Sequence, residues 1–341
     1  MPINTNIHRL LSEQLGELKT QELVSLMHIS PKFSHCVPGQ VSRAELAQAL
    51  NMLLFDSVLQ RVPSGKAYTD EVVARGGKIM LDHGALRTVR WFGIGALPPG
   101  EAAITRILKP LGYRLNGVFP LDKLGMTGRS YAQIDDIENI SQFFVSELHP
   151  ERFSRRFQDA VSKVMGSSID PLSPAAVSLL NELERDASLL LLQAHALLPV
   201  LLRCFDCQHG MVRLADYETL LMESAEMAWI ATEGNVFNHA TDRVADVFVT
   251  AAQQKQLGRA MKANVEVSGS GRVRQTALRA DSVLRQFRDE QGGTVARQVP
   301  GSFYEFISRD SMLDPVSGQA RLDLGFDAGN AQGIFKMTAN S

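Results

Sequence analysis

Two imidazoles, a guanidinium and a carboxylate stand out because each sits among apolar or aromatic neighbours, where an unpaired polar group is costly to bury. In LDHGALRTV, just after the glycine pair Gly76 and Gly77, His83 and Arg87 are four residues apart. In FNHATDR, His239 shares a strand face with Phe237, Thr241 and Arg243, and in SFYEFISR, Glu305 shares one with Phe303, Ile307 and Arg309. Strand positions an even number apart face the same way and a helix also aligns residues four apart, so the pairing of His83 with Arg87 holds under either geometry. Two imidazoles and one carboxylate are the ligand set of the facial triad, which leaves positions on iron for a chelating substrate and dioxygen. Spacing alone does not decide for it. A lone histidine in an apolar strand is more often a hydrogen-bonded structural residue than a ligand, and residues spread from 83 to 305 form no tight motif.

The elements that must position these residues follow from periodicity. Residues 5–75 repeat apolar positions at helical spacing, with Ser42 as an N-cap and Glu45 completing a capping box. After Gly76, KIMLDHGALRTV reads as a strand, PPGEAAITRILKPLGY as a short helix, and YRLNGVFPL, RSYAQID and SQFFVSEL as three strands. Long amphipathic patterns return from 170 to 230. Then NVFNHATDRVADVFV reads as a strand, AAQQKQLGRAMKAN as a helix, and RVRQTALRA and GSFYEFISRD as strands, so the element order of the first module recurs. The expected fold is α+β. Two βαβββ-like modules at 76–165 and 233–341 build a curved central sheet, with an N-terminal helical region at 1–75 and a helical insertion at 166–232, all packed as one functional unit.

Composition bounds the rest. The 341 residues carry a formal net charge of −2, 45% hydrophobic and 21% charged residues, which is ordinary for a globular protein and favours neither nucleic acid nor an acidic membrane surface as partner. The most apolar segment, ASLLLLQAHALLPVLLRCF, is interrupted by Gln193, His195 and Pro199 and reads as a buried helix rather than a membrane span. Three cysteines in no disulfide-dense pattern, and a start without secretory features, lead to a cytoplasmic expectation. Oligomeric state has no sequence signal.

The segments DHGALRTV, FFVSELHPERF, FNHATDRV, VRQTALRA, FYEFISRD and AQGIF resemble, in order, the signatures of the bacterial 2-oxoadipate dioxygenase/decarboxylase family, also called hydroxyglutarate synthases. These are similar to the vicinal-oxygen-chelate superfamily that includes glyoxalase I and 4-hydroxyphenylpyruvate dioxygenase. The resemblance runs from about residue 75 to 336. It implies metal ligands at His83, His239 (in an N-H-[LA]-T motif) and Glu305, and a substrate-binding arginine at Arg87. It implies Fe(II), with other divalent metals able to occupy the same ligands. It also implies a small 2-oxo acid and dioxygen as partners, and oxidative decarboxylation of 2-oxoadipate to 2-hydroxyglutarate, as in lysine breakdown. The competing readings are a glyoxalase-like isomerase or lyase and a non-catalytic metal-pocket binding protein.

The chain departs from the family pattern near its end, where GNAQGIF stands in place of V-S-A-A-G-I-F. Gly329 and Asn330 occupy the valine and serine positions of a pocket-lining segment, so a roomier pocket and a different or bulkier 2-oxo acid are expected. Glu147, in FFVSELH, occupies the strand from which glyoxalase-type relatives can supply a fourth ligand, although a supporting or structural use is favoured. Cys204 and Cys207, in CFDC beside His209, make a single CxxC without a second pair, and Cys36 beside His35 says little. The SGSGR stretch, Ser268 to Arg272, reads as a turn, and Gln275 is as plausible a structural residue as a substrate contact.

Overall fold

The computed structural model describes residues 5–35, 37–314, 318–327 and 329. The N-terminal apolar periodicity becomes four helices: α1 (Asn6–Leu15), α2 (Glu17–Leu26), α3 (Arg43–Arg61) and α4 (Pro63–Ala74). The capping box forms as predicted. Ser42 Oγ accepts the Glu45 N–H while the Glu45 carboxylate accepts from the Ser42 N–H, satisfying backbone donors at the helix start.

The first module then runs β1 (Leu81–Val89), α5 (Ala102–Leu108), β2 (Tyr113–Leu121), β3 (Met126–Gln133) and β4 (Gln142–Leu148). Next come α6 (Arg155–Met165), α7 (Pro174–Asp186), α8 (Leu191–Arg203), α9 (Leu214–Leu221) and α10 (Ala225–Glu233). The second module repeats the first as β5 (His239–Arg243), α11 (Val247–Gln256), β6 (Glu266–Val267), β7 (Val273–Ala277) and β8 (Phe303–Arg309). The strands form one eight-stranded sheet in the order β2-β3-β4-β1-β5-β8-β7-β6. Each module lays its fourth strand parallel to its first, and the two first strands, β1 and β5, meet antiparallel at the centre. The α+β fold with two βαβββ modules is therefore the observed architecture.

The sheet is buried on both faces. One face, carrying Leu86, Phe143, Val145, Tyr304 and Phe306, packs on a core that includes α1, α3 and α8. The other, carrying Ala85, Val89, Phe144 and Phe303, packs on a second core with α6, α9 and α10. The helices between the modules thus serve both faces: α8 joins the N-terminal helices while α10 crosses toward the opposite side of β1. No helix among the described residues is long and apolar enough to cross a membrane.

Two local readings need correction. VADVFV is not strand: β5 stops at Arg243, and the Asp246 side chain accepts the N–H groups of Phe248 and Val249, starting α11 earlier than its apolar residues suggested. Between β7 and β8 an unforeseen hairpin of Ser282–Arg288 and Thr294–Pro300 leaves the sheet. It docks on α9 and α10 through Phe287 against Tyr217 and a bidentate Arg285–Glu233 pair. SGSGR is the turn between β6 and β7, as expected.

Under the centre of the sheet, Tyr68 of α4 donates its hydroxyl to Asp242 Oδ2 at 2.6 Å, and the Met80 N–H donates to Asp242 Oδ1. Burial pushes the Asp242 carboxyl up to about 7 from its ordinary 3.8. A carboxyl that ionises more readily in the unfolded chain costs stability as pH rises between those values, by about 1.4 kcal/mol per unit. Urea unfolding of wild type and Asp242→Asn across this window should show the wild type losing ground to the variant as pH rises, then a constant difference above pH 7. A difference independent of pH would contradict the assignment.

Candidate metal centre

Strand register brings the sequence-distant candidates together. His83 of β1 pairs with Thr241 of β5, which pairs with Glu305 of β8, so the three side chains occupy one rung across three adjacent strands. His239 stands one rung along, between Ala85 and Phe303. The result is compact. Glu305 Oε2 lies 3.2 Å from His83 Nε2 and 3.1 Å from His239 Nε2, and the three groups offer ligand atoms all within 4.8 Å of one another. Thr241 donates its hydroxyl to Glu305 Oε2 at 2.7 Å and fixes the carboxylate between the rings.

All three side chains are buried, which makes their charges interdependent. Burial alone would raise the Glu305 carboxyl, but the adjacent His239 and His83 rings hold it below the usual carboxylate range, so it stays ionised. Burial pushes the His239 imidazole down. For His83 the same penalty is outweighed by the carboxylates of Asp82 and Glu305, and its imidazole moves up. An ionised carboxylate facing two imidazole nitrogens is a seat for a cation. Glu305 Oε1 is buried without a hydrogen-bond partner, an acceptor left available on the same side chain.

Each histidine has its far nitrogen engaged. His83 Nδ1 lies 2.9 Å from Asp82 Oδ1, and His239 Nδ1 lies 2.9 Å from the Asn238 amide. The Asn238 Oδ1 is buried and unpartnered, and exchanging the amide's oxygen and nitrogen would let it accept the Nδ1 proton. Both rings direct Nε2 toward Glu305, so with the ring protons on Nδ1 both Nε2 lone pairs would be free for a metal ion. The donor set suits a divalent transition metal.

A small cavity opens beside the three residues, lined by Ala85, Phe144, Ser146, Gln275, Phe326 and Asp327 among others. Its cover is the segment Asp323–Asp327. Arg309 donates to the Asp323 and Gly325 carbonyls, Asn116 and Gln142 donate to the Leu324 carbonyl, and the Phe326 ring meets His83 edge-on at 4.9 Å. Arg87 lies on the same face two residues beyond Ala85, in register with Ser146, fully buried with its guanidinium 4.8 Å over Trp229 of α10. Burial lowers its pKa only to about 10, so it remains a cation at neutral pH.

Residues 46–332 match the family described as 2-oxoadipate dioxygenase/decarboxylase. The chain belongs to that family. A glyoxalase-superfamily protein from Ralstonia eutropha JMP134 is 62% identical over 95% of this chain and 99% of its own, with a TM-score of 0.90. The hydroxyglutarate synthase of Oryza sativa, in complex with 2-oxoadipate, is 19% identical, covers 87% of this chain and 93% of its own, and has a TM-score of 0.66. That of Pseudomonas putida is 18% identical, with a TM-score of 0.59 over 89% of this chain and 75% of its own. No curated protein matches the chain.

Within this family frame, the other candidates sort by position. Gln275 lines the cavity. Gly329 is exposed and donates its N–H to Asp327 Oδ1; Asn330, the AQGIF segment and Cys36 lie outside the described residues. Phe326 and Asp327, which carried no sequence signal, provide the lining from this end of the chain. Cys204 is buried and bonds the Val200 carbonyl, and Cys207 rests its sulfur 3.5 Å from His209. Among the described residues, His83, His239 and Glu305 are the one group of three or more such side chains placed to hold a metal.

Glu147 is not a fourth ligand, because alternation along β4 sends it to the face opposite Phe144 and Ser146. There its Oε2 accepts the Glu101 N–H at the start of α5, and its Oε1 pairs with Arg129. Glu147→Gln should therefore lower unfolding stability by about 1–3 kcal/mol and leave the number of divalent metals bound per chain unchanged. Loss of the metal in a folded variant would contradict this placement.

Proposed function

We propose that this chain is an Fe(II)-dependent dioxygenase/decarboxylase that converts 2-oxoadipate, or a related 2-oxo acid, into 2-hydroxyglutarate, or the corresponding hydroxy acid. The observation that carries the reading is the convergence of His83, His239 and Glu305 beside a cavity in a chain of this family. The relatives from Oryza sativa and Pseudomonas putida, named as hydroxyglutarate synthases in complex with 2-oxoadipate, motivate the substrate class. The reaction balances with dioxygen as the sole oxidant. The bond between the carboxyl carbon and the keto carbon breaks and releases carbon dioxide; one oxygen atom completes a new carboxyl group at the former keto carbon, and the other enters a C–H bond of the adjacent methylene, whose hydrogen stays on the new hydroxyl.

A ferrous ion held by His83, His239 and Glu305 would supply Lewis-acid and redox chemistry toward a 2-oxo acid and dioxygen. The chain supplies orientation. Arg87, along β1 from His83, presents a planar guanidinium to a substrate carboxylate, with the Trp229 ring fixing its plane. Phe144 and Phe326 keep the reacting end dry, while Ser146 and Gln275 offer hydrogen bonds to substrate oxygens. With Glu147 turned away, the four-ligand site of a glyoxalase-like isomerase gains no ligand from that strand.

Anaerobically Fe(II)-loaded protein mixed with air-saturated buffer and 2-oxo acids of graded length should consume dioxygen and release carbon dioxide in equal amounts. Arg87→Lys keeps the charge but loses the fork, and should lower kcat/KM by about 10- to 100-fold, equivalent to the worth of a charge-assisted hydrogen bond, with metal retained. Product formed without oxygen uptake would mark an isomerase or lyase. Ligand bound tightly with no turnover, at full metal occupancy, would mark a binding protein; either outcome overturns the proposal.

A further inference from the structure

The ladder between β1 and β5 slips at one point: Leu81 pairs with Asp242 while His83 pairs with Thr241, so Asp82 is an extra residue opposite no partner. In an unbroken pleat, Asp82 and His83 would point to opposite faces. A bulge re-aims side chains, and here it delivers the Asp82 carboxylate to His83 Nδ1 at 2.9 Å. The carboxylate is fully buried and is gripped from two further strands. Arg309 of β8 donates through Nε and Nη2 at 2.9 Å, and Arg243 of β5 donates through Nε at 2.7 Å. His239 has no such partner, since its Nδ1 meets the neutral Asn238 amide.

We infer that Asp82 is a positioning residue for the metal centre: it accepts the Nδ1–H of His83 and thereby keeps the Nε2 lone pair aimed at the space shared with His239 and Glu305. The inference rests on reading those three residues as metal ligands. A carboxylate on the far nitrogen of a ligating imidazole fixes its tautomer and ring orientation and raises its basicity. Arg309 extends the arrangement outward. The guanidinium that holds Asp82 also donates to the Asp323 and Gly325 carbonyls and lies 4.8 Å over Phe326, so the cavity cover and the orienting carboxylate share one anchor. An ion pair serving stability alone has no need to interrupt the ladder beside a histidine.

The test uses the full chain with Co²⁺ as the metal and His-selective ¹⁵N NMR on the metal-free protein. In wild type at a pH where the His83 ring is neutral, its single proton should sit on Nδ1, a measurement that needs no variant; a neutral ring protonated on Nε2 overturns the inference. Folded Asp82→Asn should bind Co²⁺ about 10- to 100-fold more weakly, with an altered visible spectrum of the bound ion and a shift of His83 toward mixed tautomers. Unchanged affinity and tautomer in that variant, beside a wild type whose Co²⁺ binding is abolished by His83→Ala or Glu305→Ala, overturns the inference while the metal site stands. A wild type that binds no Co²⁺ at these residues overturns both.

Discussion

The site depends on one backbone interaction, the antiparallel pairing of Leu81–Val89 with His239–Arg243 at the middle of the sheet. Each module carries an incomplete donor set: His83 comes from one, and His239 and Glu305 from the other. Parallel pairing of β5 with β8 places Glu305 in the same rung as Thr241, and the antiparallel seam then brings His83 to that rung. A shift of one residue at the seam would turn His83 to the opposite face. The seam is protected by burial on both sides, with the N-terminal helices packed on one face and α10 and the C-terminal cover on the other.

Burying this much charge is costly unless each group is answered by another. The sheet centre answers it locally. Asp82 is balanced by Arg309 and Arg243, Glu305 faces two imidazoles, and the Arg87 guanidinium rests on an indole ring with Glu226 contributing opposite charge nearby. These pairings keep polar atoms at fixed positions in a region closed by aromatic side chains. Gly84 shows how little room remains: a Cβ there would come within 1.9 Å of the Phe237 ring, so the residue following His83 must be small for β1 to pack against the segment that leads into β5.

Much of this was legible in the sequence because strand alternation is a local rule. The shared face of His83 and Arg87, the repeated βαβββ order and the Ser42–Glu45 capping box each follow from spacing over a few residues. The three-residue cluster itself needed the family signatures, since pairing register between strands more than a hundred positions apart leaves no local trace. The bulge at Asp82 was invisible for the same reason, although a carboxylate inside a strand with all nine residues buried demands a partner. Phe326 escaped notice because its role depends on where the chain returns over the sheet. Asp246 caps α11, but the apolar run VFV after it reads as strand.

The central claim is that residues from both modules hold one divalent ion. The most direct measurement is anomalous diffraction from crystals loaded with Zn²⁺ as an inert stand-in for Fe(II). The account predicts a single strong peak at about 2.0–2.2 Å from Nε2 of His83, Nε2 of His239 and a carboxylate oxygen of Glu305. A peak held by other residues, or one bound by a single module with the other module's ligands turned away, would contradict it.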